Sequence, residues 1–149
     1  MSLLLFVYGT LMVGEPNHRY LAAAKLVGRA MTVPGFELLD LGHFPAMVPA
    51  RDAACVWGEI FEVDAATLAR CDKLEGHPNF YRRTPIALSV GRQRRAETYL
   101  FVRRQANDLV IGEGDWRAYR ARKTSCGVCG RVHEGVGHPS GSGAAGCGR

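Results

Sequence analysis

The sequence predicts a single α+β domain built on a curved or barrel-like mixed sheet. Three observations carry this expectation. Strand-like apolar runs outnumber helical ones. Their order does not repeat as the strand–helix alternation of a parallel α/β sheet. The chain has 149 residues, 47% hydrophobic and 22% charged, enough for one domain with a real core.

Taken in order, Leu3 to Tyr8 is a continuous apolar run that suits a strand covered on both faces. Gly9 ends it, and the turn-rich "MVGEPNH" follows. Asn17 is placed to cap a short helix running through Tyr20 to Ala24. Leu26–Val33 and Phe36–Asp40 read as strands joined by a turn at Pro34-Gly35. "GHFPAMVPA" reads as a loop with a short extended piece around Met47. From Cys55 to Val63 the residues alternate, with Val56, Gly58, Ile60 and Glu62 opposite Trp57, Glu59, Phe61 and Val63, as a strand requires.

The clearest helix comes next, with Asp64 as N-cap, Gly76 as the stop and Pro78 preventing resumption. Tyr81–Val90 and Ala96–Val102 are two further strands joined near Gly91. "GEGDWRAYR" starts another short helix capped by Asp115. The domain is expected to span residues 1–122. Residues 123–149 are dominated by Gly, Ser and Cys and are expected to be a disordered tail, because they bury too little apolar surface to offset ordering entropy.

The formal charge is +5, but four basic residues against one acid lie from Ala121 onward, which leaves only +2 for residues 1–120. A body so near neutral argues against a nucleic-acid partner. No apolar run approaches the roughly 18–20 residues of a membrane span. The opening "MSLLLFVYGTL" lacks a basic leader and reads as a buried strand, not a signal peptide. Cys55 and Cys71 lie in core-like stretches, which reads as a reduced, cytoplasmic body. Cys126, Cys129 and Cys147 lie in the tail. With His133 and His138 they could supply zinc ligands, but the spacing is not that of paired ligand knuckles, so no metal is expected.

The first helix ends on a glutamate, where its partial negative charge prefers a cation. Leu68, Cys71 and Glu75 are three and four residues apart and share the apolar face with Ala65 and Leu74, while Arg70, Asp72 and Lys73 turn away. Glu75 should therefore lean inward. Desolvation and the helix terminus would both raise its pKa towards the range useful for proton transfer. The plain alternative is a frayed helix end paired with Arg82 or Arg83. In "VYGTL", Gly9 permits close approach of a ligand, and the amides after such a turn can form an anion-binding concavity.

Cys71 reads as a small core residue. His18 and His77 read as surface loop residues, and "GRQRR" as a solvated hairpin tip.

Two segments together carry a resemblance. "FVYGTLMVGEPNHRYL" and "RCDKLEGHPNFYRR" closely resemble the two signatures of the γ-glutamylamine cyclotransferases, within the wider γ-glutamylcyclotransferase-like group that includes AIG2-like proteins and the butirosin-biosynthesis cyclotransferase. "GDWRAY" looks like a late element of bacterial members, and the resemblance covers roughly residues 3–120. It implies a small mixed β-barrel with a few short helices. It implies Glu75 as the catalytic acid/base, Tyr8, Gly9, Thr10 and Leu11 as the substrate-binding loop, and Tyr81 near the pocket.

The activity it implies is conversion of a γ-glutamyl amine or amide to 5-oxoproline and the free amine, by attack of the substrate's own α-amine, with no cofactor. The expected partner is a small γ-glutamyl molecule, and the expected state a monomer. Two other readings stand beside it. One is a γ-glutamyl deprotecting enzyme of a secondary-metabolite pathway. The other is a non-catalytic binding protein on the same fold.

Overall fold

The computed structural model describes residues 2–51 and 53–128. In chain order the strands are β1 (Ser2–Val7), β2 (Lys25–Thr32), β3 (Phe36–Asp40), β4 (Pro45–Pro49), β5 (Trp57–Asp64), β6 (Tyr81–Val90), β7 (Arg95–Phe101) and β8 (Leu109–Ile111). Helix α1 spans Ala65–Glu75 and α2 spans Trp116–Val128, and a single 3-10 turn covers His18–Leu21.

The sheet runs β1-β5-β2-β6-β7 and closes through a β1–β7 pairing, so five strands form a mixed barrel. β4, β3 and β8 continue outward from β7. Closure pairs β1, which would otherwise be an edge, with β7. Leu5, Phe6, Leu38, Leu39, Ile60, Phe61 and Trp116 are buried in the core of the domain.

One seam shapes the cavity side of the barrel. β7 meets β1 in parallel at Leu5–Glu97 and, farther along, meets β4 in parallel at Met47–Leu100. The barrel wall therefore forks beside β7. Tyr8, the first residue after β1, fills the fork. Its hydroxyl donates to the Tyr99 carbonyl at 2.7 Å and accepts from the Met47 amide at 3.2 Å. A side-chain hydroxyl thus takes the place of the missing ladder partner, and two buried backbone groups are satisfied.

Several sequence expectations need correction. Asn17 does not cap a helix with its side chain; that side chain donates to Thr10 Oγ1 at 3.0 Å, and only one 3-10 turn follows. "PAMVP", which reads mostly as loop, is the buried strand β4. β8 has no counterpart among the expected strands. α2 runs through Val128, past the boundary expected at residue 122, and Lys123 is tied to the domain by an ion pair with Asp40 at 2.7 Å. Residues 129–149, including Cys129, His133, His138 and Cys147 of the possible zinc set, lie outside the described residues, as does the side chain of Cys126. The reading of both body cysteines as reduced applies to Cys71, which is free and buried, whereas Cys55 is disulfide-bonded. Among the described residues, no helix is long and apolar enough to cross a membrane.

Candidate active site

Helix α1 begins and ends as its sequence requires. Asp64 Oδ1 accepts from the Thr67 amide at 2.8 Å, which satisfies one of the orphan donors of the first turn. Gly76 adopts the left-handed conformation at φ 68°, and its amide bonds back to Asp72 and Lys73. The helix therefore stops with Glu75 as its last residue. Thr67 and Cys71 face the core. Ala65 is exposed, contrary to the inward position expected for it.

Glu75 opens into a cavity of about 350 Å³. Gly9, Thr10 and Leu11 line the same cavity, as do Tyr8 and Tyr81, so all six residues singled out from the sequence meet there. No hydrogen bond or ion pair reaches Glu75 among the described residues, and burial alone pushes its carboxyl up to about 7. The alternative pairing with Arg82 or Arg83 does not form. Arg83 is engaged elsewhere, with Asp72 and Glu97.

The turn after β1 folds on itself. Met12 N donates to Gly9 O at 3.1 Å, Glu15 N to Met12 O at 3.0 Å and Asn17 N to Thr10 O at 2.9 Å. The amides of Gly9, Thr10 and Leu11 have no acceptor among the described residues, which leaves three consecutive donors beside the cavity. Gly9 is required by packing. A Cβ there would lie 2.5 Å from Pro45 Cγ, closer than any side chain could tolerate.

Tyr8 and Tyr81 stand at the cavity with their hydroxyl protons already committed. Tyr8 donates to Tyr99 O, and Tyr81 donates to Pro45 O at 2.8 Å. Burial, reinforced by the neighbouring Glu75 charge, pushes both phenols above their ordinary range, so both stay protonated. Both hydroxyls thus bond to the backbone of neighbouring strands, Tyr8 to β7 and β4 and Tyr81 to β4.

Beside the cavity lies a second, very different carboxylate. Asp72 accepts from Arg83 Nε at 2.9 Å and Nη2 at 3.0 Å, and from the Tyr99 hydroxyl at 2.6 Å. Burial acts to raise its pKa, but these donors outweigh it and the net direction is down. Arg83 also donates to Glu97 at 2.7 Å, which links α1 to β6 and β7. Helical spacing turns Asp72 towards solvent. It is instead half-buried, because β6 brings Arg83 over it.

Sequence reasoning missed Tyr99 and Leu74 as lining residues, and it placed Asn17 only as a cap. An isolated aromatic in a strand carries no local signal of what it faces. Two loops, His43 to Arg51 and His77 to Phe80, are expected from the sequence to select the amine portion of a substrate; the first contributes His43, Phe44 and Pro45 to the cavity lining and the second contributes no residue to it. His18 and His77 do not line it. His18 Nδ1 lies 3.0 Å from Leu11 O, and His77 Nδ1 accepts from the Arg83 amide at 3.0 Å. Burial pushes the Cys71 thiol up to about 11, which suits a packing residue and not a nucleophile. Among the described residues no cluster of three or more His, Cys, Asp or Glu could hold a metal ion.

Known proteins share this architecture. The family model described as gamma-glutamyl cyclotransferase, AIG2-like, matches residues 5–118. A Vibrio cholerae protein is 40% identical over 116 residues, spanning 78% of this chain and 96% of its own length. Rat gamma-glutamylaminecyclotransferase is 39% identical over 95 residues, spanning 58% of this chain and 63% of its own. The crystal structure of a mouse AIG2-like protein superposes with a TM-score of 0.70 at 30% identity, covering 77% of this chain and 88% of that one. With this barrel and a match across most of its length, the chain belongs to the AIG2-like gamma-glutamyl cyclotransferases, an enzyme family.

Proposed function

We propose that the protein cyclises γ-glutamyl amines or amides, releasing 5-oxoproline and the free amine, with Glu75 as the proton carrier. One observation carries this reading above the others. A carboxyl raised to about 7, with no partner among the described residues, shares a cavity with three backbone donors that have no acceptor among them. A group of that pKa is suited to both accept and return a proton near neutral pH.

The reaction needs no second reactant. The α-nitrogen of the substrate attacks its own γ-carbonyl carbon, the ring C–N bond forms, and the C–N bond to the departing amine breaks. Glu75 takes a proton from the attacking nitrogen and delivers one to the leaving nitrogen, so protons balance and the carboxylate is regenerated. The amides of Gly9, Thr10 and Leu11 are the donors available for the α-carboxylate or for the developing oxyanion. No lysine or arginine lines the cavity among the described residues, so these amides stand in for a cation. Folding the glutamyl chain so that amine meets carbonyl supplies much of the rate by proximity.

The test is 5-oxoproline release from a panel of γ-glutamyl compounds by wild type and Glu75→Gln. The variant keeps the size and polarity of the side chain but cannot carry the proton. Its rate is expected to fall by at least about 10²-fold. Near-normal release would refute the assignment. Turnover confined to a conjugate from a secondary-metabolite pathway would select the deprotecting alternative, and tight binding without turnover the non-catalytic one.

A further inference from the structure

Glu15 and Asp40 are the most deeply buried charged side chains outside the cavity, 3% and 2% exposed. Neither lines it. Each stands at the foot of a segment that does: Glu15 beside Pro16 and Asn17, and Asp40 before the stretch holding His43, Phe44 and Pro45.

Both carboxylates are held by one helix. Arg120 of α2 donates from Nη1 and Nη2 to the two Glu15 oxygens at 2.7 and 2.8 Å. Arg117 reaches Glu15 at 3.8 Å and Glu59 at 3.1 Å, and also donates to the Val13 carbonyl. The same helix grips the other wall as well. The Tyr119 hydroxyl and Lys123 Nζ donate to Asp40 Oδ2 at 2.6 and 2.7 Å. Asp40 Oδ1 in turn accepts the Gly42 amide at 2.8 Å and so fixes the start of that wall. Residues 117 and 120 share one edge of a helix, and 119 and 123 the adjacent edge. Trp116, 1% exposed, seats the helix by packing, since its indole N–H has no acceptor among the described residues.

Burying a carboxylate costs several kcal/mol unless good partners surround it, and an apolar pair is often no less stabilising. What a paired buried charge adds is a fixed geometry. Two of them here join one helix to both walls, yet no described side chain of that helix enters the cavity. The walls also touch each other where Pro45 packs on Gly9. A small slip of either wall would change the distance between the Gly9–Leu11 amides and Glu75 across the cavity.

We propose that α2 is a strap setting the spacing of the two cavity walls, and that Glu15 and Asp40 are positioning residues for the chemistry at Glu75. The catalytic half of this rests on the cyclotransferase reading, and the structural half does not. The full chain is therefore measured in two ways, as wild type, Glu15→Gln, Asp40→Asn and Tyr119→Phe. Tyr119→Phe removes one of Asp40's donors while leaving Lys123, and it serves if the acid replacements fail to fold. Amide exchange reads the strap directly. Asp40→Asn or Tyr119→Phe is expected to speed exchange of the hydrogen-bonded amides of Met12, Glu15 and Asn17 as well as those of Leu41 and Gly42, although Asp40 touches only the second wall. Steady-state release of 5-oxoproline reads positioning. kcat is expected to fall about 10-fold with KM changed less than about 3-fold, because displacement weakens the transition state more than ground-state binding. Exchange confined to residues 41–45, or an unchanged kcat in folded variants, overturns the proposal. If wild type turns over no γ-glutamyl compound, the cyclotransferase reading falls and the exchange pattern alone judges the strap.

Discussion

Asp72 and Glu75 sit one turn apart on α1, both partly withdrawn from water, and their acidities move in opposite directions. Asp72 is met by Arg83 and Tyr99. Glu75 is met by the open side of the cavity and by tyrosines whose protons are spent on backbone carbonyls. Burial by itself disfavours a charge, and burial with donors favours it. One helix end thus carries a fastener and a proton carrier three residues apart, distinguished by what the neighbouring strands bring to each.

The largest difference should appear in rate. Against the loss of at least about 10²-fold expected for Glu75→Gln, Asp72→Asn should cost less than about 10-fold, since its carboxylate does not line the cavity. Equal losses in 5-oxoproline release would erase the distinction.

Stability should separate them with opposite signs. Asp72→Ala leaves Arg83 with Glu97 alone and deprives the Tyr99 hydroxyl of its acceptor, and is expected to destabilise by ~2–3 kcal/mol in denaturant melts. Glu75→Gln removes a desolvated charge and should stabilise the protein at pH 8. With 1.36 kcal/mol per pKa unit, the rise from 4.5 to about 7 bounds that gain at ~3 kcal/mol.

The pH dependence follows from the same directions. The folded-state pKa of Glu75 lies above its unfolded value. Stability is therefore undiminished below about 4.5, declines as pH rises towards about 7, and levels off above it. Glu75→Gln should gain nothing at pH 4 and its full increment at pH 8. Asp72, with a lowered pKa, contributes fully above the ordinary carboxylate range and loses its contribution as pH falls through and below it. For activity, a base of this kind predicts kcat/KM rising with pH through about 7. A flat profile between pH 5 and 8 would count against Glu75 as base.

The smallest effect is a control. Lys73, between the two acids and exposed, should tolerate replacement by Ala within about 0.5 kcal/mol.

Much of the fold and the site is legible in the chain. The bounds of α1 follow from Asp64 and Gly76, because capping chemistry is local. The barrel strands follow from their apolar runs, with ends shifted by a residue or two. The inward lean of Glu75 follows from helical period. Other features are not legible, each for a physical cause. β4 is bounded by Pro45 and Pro49 and β8 is only three residues long, too short for a local pattern, so their strand character comes from pairing with β3. Asp72 and Asn17 look like solvent-facing and capping residues until Arg83 and Thr10 are brought to them from elsewhere in the chain.

What the sequence determined alone, then, is every feature set within a few residues: where α1 starts and stops, which way its last glutamate faces, and where β1 must break. What tertiary structure decided is the company each group keeps. The fork filled by Tyr8, the clasp of α2 on Glu15 and Asp40, and the lack of any donor to Glu75 among the described residues depend on segments up to about a hundred residues apart. Acidity responds to the sum of neighbours in space, and that sum exists only after the barrel has closed.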